Sequence, residues 1–333
     1  MDKIIRTACF FVKEAKDYSE AFVKEISSLL EKHRYFIQTT RVCYANNSKL
    51  DSPEGESLTS AGRLSIEAAN KFLPTFLQRE KTFFILDLSS DEVSNAHVDL
   101  LYEIVNKRPG HTFNFAYGCN IPSSSPYFPS SIFEKEGFSI GLQPTNLAKG
   151  CSTLGQWQEN MRLVWNELNT LLSPFSGFLG IDSSVAPLYE GDGSLIAYIK
   201  KMHTSFSASV TTDVYTRLSS FMQTENPHPV GLCGIMFPCL EDFELAREYE
   251  CGEFSIERNL FLSLHSGLGI DTYPIGIDQP KERVVEILRL VQALSHKYTK
   301  PLSVRLVSDG KAKIGEKALF NNPYLYDAIV REL

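Results

Sequence analysis

The sequence predicts an α/β fold whose strands are covered on both faces. About eight or nine short apolar runs alternate with segments of helical periodicity, and most of the runs are apolar throughout rather than at every second residue. No linker or shift of composition divides the 333 residues. Strands of this kind belong to a closed barrel or to a wide doubly wound sheet, and the length is ordinary for a single α/β barrel. One domain over residues 1–333 is therefore expected.

The elements follow in order. IRTACFFV, starting at Ile5, is a buried-strand run, and Asp17 to His33 follows with Phe22, Ile26, Leu29 and Leu30 at helical spacing. Tyr35 to Ala45 is rich in β-branched and aromatic residues, Asn46 to Ser57 is a polar loop, and Thr59 to Arg79 reads as a helix with Leu64, Ala68, Phe72 and Phe76 on one side. Thr82 to Leu88 is a strand; Asp91 to Lys107 is a helix stopped by Pro109 and Gly110; Phe113 to Cys119 is another strand. Asn120 to Ser131, crowded with proline and serine, is the strongest loop signal and is expected to cover a pocket mouth. Phe138 to Pro144 is a strand, and Ser152 to Leu172 a long helix with Trp157, Met161, Val164, Trp165 and Leu168 at near-helical spacing. Gly193 to Thr204 and Thr212 to Met222 read as helices with no clear strand between them. Further helices fall over Phe243 to Tyr249, Ile256 to Ser266 and Lys281 to Lys297, before a strand from Leu302 to Asp309.

Three stretches share one form: FSGFLGIDSSVAP (Phe175 to Pro187), VGLCGIMFPCLED (Val230 to Asp242) and SGLGIDTYPIGID (Ser266 to Asp278). Apolar residues and glycine lead into Asp182, the Glu241/Asp242 pair, or Asp271. These four acids are the candidate catalytic residues, expected to open on one cavity. Burial raises a carboxyl pKa, and converging acids divide acid and base roles or bind a hard metal, for which Asp182 and Asp271 are the candidate ligands. The plainer reading of each is a helix cap or a strand-end turn, as for Asp213. Arg6 and Arg305 stand inside apolar strands, where a bare guanidinium is costly, so each needs an anionic partner. That partner is either one of the acids or a substrate carboxylate or phosphate. Ser183, Thr211 and Thr212 add hydroxyls to the candidate substrate-binding set.

Composition narrows the class. The formal charge of −7 with scattered Lys and Arg argues against nucleic acid. Asp2, Lys3 and Arg6 interrupt what would be a signal region, and no stretch offers the ~20 apolar residues of a membrane span. Seven cysteines without a CxxC pair point to a reducing compartment, the cytoplasm by default. The histidines do not cluster, and HExxH, P-loop, complete GxGxxG and GxSxG patterns are missing, so no nucleotide cofactor is expected while a divalent metal stays open. Aromatics in Phe320 to Tyr326 are expected to dock on a second copy, giving a homodimer.

IRTACFFV, LGIDSSVAPL with EGDGS shortly after, GLCGIMFPCLED, SGLGIDTYPI and SVRLVSDGKAKIGE occur in the order, and at roughly the spacing, of the segments that mark domain-of-unknown-function family 711. The chain resembles that family over most of its length, most closely from Phe175 to Gly315. What the resemblance implies is a barrel similar to that of the pyruvate formate-lyase-like glycyl radical enzymes, with helices outside and ten strands around an inserted hairpin. It brings no settled activity. Radical enzymes of that class carry a glycine near the C-terminus, whereas no glycine follows Gly315 here, so radical chemistry is not expected. Cys233 and Cys239 then read as core residues. The leading expectation is an enzyme acting on a small polar or anionic substrate; the alternative is a non-catalytic small-ligand-binding or assembly scaffold.

Overall fold

The structure, a computed structural model, describes residues 3–45 and 57–333. Its strands are β1 (Lys3–Val12), β2 (Tyr35–Ile37), β3 (Thr40–Tyr44), β4 (Leu58–Leu64), β5 (Thr82–Asp87), β6 (Phe115–Cys119), β7 (Gly137–Leu142), β8 (Phe178–Asp182), β9 (Gly269–Pro274) and β10 (Leu302–Val307). They form one ten-stranded sheet in the order β8-β7-β1-β3-β4-β5-β6-β10-β9, with β2 also paired to β1. The pairs β7–β1 and β6–β10 are antiparallel and the rest are parallel, so β1 to β6 run one way and β7 to β10 the other.

The continuous apolar runs have a direct cause. Ile5, Ala8 and Phe10 of β1 join the large core under the helices, while Cys9 and Phe11 point to a second cluster on the opposite face. In β5, Phe84 and Leu86 face the helices, and Phe83 and Ile85 face inward. A strand buried on both sides has no face turned to water, so the alternation of apolar and polar residues is lost. The covering helices include α1 (Glu20–Lys32), α2 (Ile66–Gln78), α3 (Asn95–Lys107), α4 (Leu154–Leu172), α5 (Leu195–Met202), α6 (Phe206–Val210), α7 (Val214–Glu225), α8 (Phe243–Glu250), α9 (Ile256–His265) and α10 (Lys281–Tyr298). Ser19, Ser65, Thr153, Ser194, Ser205 and Ser255 each accept a backbone N–H in the first turn of the helix that follows. Among the described residues no helix is long and apolar enough to cross a membrane.

The hydrogen-bonded ladder ends at β8 on one side and β9 on the other. Residues 229–242 lie between these ends and pair with both, in parallel, through isolated bridges. Val185 N donates to Gly234 O and Met236 N to Val185 O on the β8 side; Leu268 N donates to Ile235 O and Cys239 N to Asp271 O on the β9 side.

Three sequence expectations change. Thr59 to Arg79 is not one helix: LTSAGRL is β4, and the helix begins only at Ile66. Its small and hydroxyl residues carry no strand signal of their own, and pairing to β3 and β5 imposes the extended form. Tyr35 to Ala45 is broken into β2 and β3, both paired to β1. Most of the polar loop, residues 46–56, lies outside the described residues. The proline- and serine-rich loop, expected to cover a pocket mouth, is buried from Ser124 to Ile132, and Tyr127, Phe128, Pro129 and Ser130 line a cavity from within. There Ser60 Oγ donates to Ser131 O, Ser139 Oγ to Ser124 O and Thr7 Oγ1 to Pro126 O, so the loop is tied to inward-facing groups of β1, β4 and β7.

Candidate functional site

A cavity of about 390 Å³ opens where the first residues of β3, β4, β5 and β6 meet the end of the 229–242 segment and residues 186–187 beyond β8. Small-molecule sites run from about 300 to 1,000 Å³. The cavity has a charged part and an apolar part.

Arg305 organises the charged part. Its Nε donates to Asp271 Oδ1 at 2.6 Å and its Nη2 to Glu241 Oε1. Arg6 Nη2 lies 3.4 Å from Glu241 Oε2, and Arg6 Nη1 donates to Gln38 at 3.2 Å. Irregularities in the ladder aim these side chains. The β1–β7 register shifts between Ile5 and Thr7, which turns Arg6 inward beside Thr7. The β9–β10 register shifts between Val304 and Leu306, opposite Asp271 and Thr272, and Thr272 adopts a left-handed φ of 40°. Bulges of this kind redirect side chains and gather at functional sites. Burial pushes the Glu241 carboxyl above the usual carboxylate range, opposed by Arg305 and reinforced by Asp271. Burial works against the charge of Arg305, but Asp271 and Glu241 more than offset it and raise its pKa.

Arg41 is the cavity residue that sequence reasoning missed. It is only 9% exposed, and its guanidinium lies 4.6 Å from the Phe128 ring centroid. Its bonds are from Nε to Thr39 Oγ1 at 3.3 Å and a long one from Nη1 to Pro126 O at 3.5 Å. No carboxylate among the described residues forms an ion pair with it. Burial, with repulsion from Arg6 second, pulls its pKa down to about 9, still cationic at neutral pH. The signal that could have found it is the one that flagged Arg6, an arginine inside an apolar strand.

The four candidate acids divide into two pairs. Glu241 and Asp271 line the cavity, whereas Asp182 and Asp242 do not. Asp182 is fully buried; it accepts from Ser125 Oγ at 2.9 Å, Ser184 Oγ at 2.5 Å, Leu232 N at 2.8 Å and Cys233 N at 3.1 Å. Burial raises its pKa and those bonds oppose the rise. It fixes the 229–242 segment against β8 rather than facing a ligand. Asp242 caps α8 and also accepts from Leu195 N at 3.0 Å and Ile196 N at 3.3 Å. Ser183 Oγ donates to Met222 O, Thr211 is exposed at the end of α6, and Thr212 Oγ1 donates to Ser209 O, so none of the three hydroxyls lines the cavity.

The acids do not form a metal site. Among the described residues no group of three or more His, Cys, Asp or Glu could hold a metal ion. Asp182 already accepts from five donors, the Ser184 N–H among them, and Asp271 and Glu241 face guanidiniums that would repel a cation. The thiols also stand apart: burial pushes Cys233 up to about 11 and Cys239 well above its usual value, away from thiolate chemistry.

Leu58, Phe83, Phe128, Leu232, Met236 and Leu268 form the apolar part. Tyr324 also lines the cavity, stacked on Phe113 with ring centroids 6.2 Å apart and on Tyr189 at 6.0 Å. In the same Phe320 to Tyr326 segment, Tyr326 N donates to Leu240 O.

A family model described as Uncharacterised ACR (DUF711) matches residues 174–321, the part that holds β8 to β10, Glu241, Asp271 and Arg305. No curated protein matches the chain.

Proposed function

Taking as premise that residues 174–321 belong to the DUF711 family, whose description names no reaction, we propose that this protein is an enzyme that binds a small organic anion in the cavity and exchanges a proton with it through Glu241. The observation that carries the reading is Arg41, a buried guanidinium that lines the cavity without a carboxylate partner among the described residues. A cation left unpaired in a low-dielectric site is costly, and a bound anion removes that cost. Arg6 and Arg305 position Glu241, and burial raises its pKa, the direction that favours holding a proton.

The proposed frame is a closed barrel, similar to the pyruvate formate-lyase-like barrel, with residues 229–242 as the stave between β8 and β9. Support comes from their parallel bridges to both strands and from the opposed directions of β1–β6 and β7–β10. The buried Ser124 to Ile132 loop would be the insertion inside it.

The test is to incubate the protein in D₂O with a mixture of small carboxylic acids and organic phosphates, following products and deuterium incorporation by NMR. One component should react with the wild type and none with Glu241→Gln. Equal behaviour of the two proteins would overturn the proton-transfer role, and the absence of thermal stabilisation by any component would overturn anion binding.

A further inference from the structure

We infer that the cavity is built for a monocarboxylate carrying an apolar body of roughly aromatic size, an inference that rests on the anion-binding reading above. The charge count sets the head group. Arg6, Arg41 and Arg305 are the cations lining the cavity and Glu241 and Asp271 the anions, which leaves one positive charge in excess. A single carboxylate balances it, whereas a phosphate dianion overshoots. The excess is located at Arg41, because Arg305 holds both acids and Arg6 shares Glu241. Arg41 donates to protein through Nε and Nη1, and its Nη2 has no acceptor among the described residues, so an edge of the guanidinium is free for a carboxylate.

The surroundings of Arg41 set the body. Its guanidinium lies over Phe128, and Phe128 packs on Phe83 with ring centroids 5.0 Å apart. Both rings line the cavity, with Leu58, Leu232, Met236 and Leu268 continuing the wall. An acid held at Arg41 therefore places its next atoms against hydrocarbon. Acetate would satisfy the charge and leave that wall facing water. Each methylene buried there should tighten binding by ~3–4-fold.

Calorimetric titration of the full chain with acetate, phenylacetate, phenylacetamide and inorganic phosphate tests this. Phenylacetate should bind at least ~30-fold more tightly than acetate or phosphate, from the buried ring, and at least ~10-fold more tightly than phenylacetamide, which has the same shape without the charge. Arg41→Gln should erase the preference for the acid over the amide, and Leu232→Asn should erase the preference for phenylacetate over acetate. If Arg41→Gln does not fold, Arg41→Lys serves, with an expected loss of about tenfold for phenylacetate. Acetate or phosphate binding as well as phenylacetate, and doing so through Arg41, would overturn this inference and leave anion binding standing. Phenylacetamide binding as well as phenylacetate, or no probe binding at all, would overturn both.

Discussion

Asp242 accepts the backbone N–H of Leu195 at 3.0 Å while it caps its own helix, so one carboxylate holds the first turns of α5 and α8 together. Burial pushes its pKa from an ordinary 3.8 up to about 6. Between those values the folded protein binds the proton more tightly than the unfolded chain, so this residue's contribution to stability falls as pH rises from about 4 to about 6, then levels off. The change should be about 2–3 kcal/mol. Asp242→Asn should lose this pH dependence, and it should be less stable at every pH because an amide cannot accept on both sides. Urea unfolding of both proteins from pH 4 to 7 checks the prediction; parallel curves would show that the residue does not titrate in this range.

Replacing Arg305 and Arg6 should give unequal losses. Arg305→Met leaves Glu241 and Asp271 buried without their shared partner and should cost about 3–5 kcal/mol. Arg6→Met removes a 3.4 Å contact to Glu241, which Arg305 still holds, and a 3.2 Å bond to Gln38, and should cost about 1–2 kcal/mol. Denaturant titration at neutral pH measures both, and equal losses would contradict the central place given to Arg305.

Gly231 has a φ of +73°, and a Cβ there would lie 2.3 Å from Asp182 Oδ2 and 2.8 Å from Ser125 Cα. Neither neighbour can move away, because Ser125 and Asp182 are bonded to each other. Gly231→Ala should therefore destabilise by about 2–4 kcal/mol, the sum of overpacking and backbone strain. A thermal midpoint within a degree of wild type would refute the close approach.

All seven cysteines are free, and they differ in access: Cys251 is exposed, Cys151 is half-buried, and Cys9, Cys43, Cys119, Cys233 and Cys239 are buried. A thiol reagent at pH 7.5 should label Cys251 first and Cys151 slowly, with the other five modified only on unfolding. Peptide mass spectrometry over a time course reads this directly, and rapid labelling of Cys233 or Cys239 in the folded protein would return sulfur to the mechanism.

Strands with hydrocarbon on both faces were legible because their composition alone gives them away, as in β1 and β5. β4 was not, since LTSAGRL becomes extended only through its neighbours. The acids make the same point at the site. Asp182 and Asp271 follow the same tripeptide pattern, glycine–isoleucine–aspartate, yet one meets the N–H groups of Leu232 and Cys233 and the other meets Arg305. Ser184, two residues beyond Asp182, is a local partner, but the groups that set the two acids apart arrive from elsewhere in the chain. Arg41 carried the same signal as Arg6 and was legible in principle.

Glu241 draws on both ends of the sequence, since its partner Arg6 lies 235 residues upstream and its partner Arg305 lies 64 residues downstream. During synthesis β1 therefore leaves the ribosome with a guanidinium that has no anion to meet, and the acid that receives it appears late. Contacts of such separation form slowly, because the loop between them must first be closed. Until β10 docks, a nascent chain holds Arg6, Arg41 and Glu241 without the arginine that ties Glu241 to Asp271, and its inward hydrocarbon faces are uncovered. Stalled or truncated chains ending before Leu302 should consequently be clients of chaperones and proteases rather than folded intermediates.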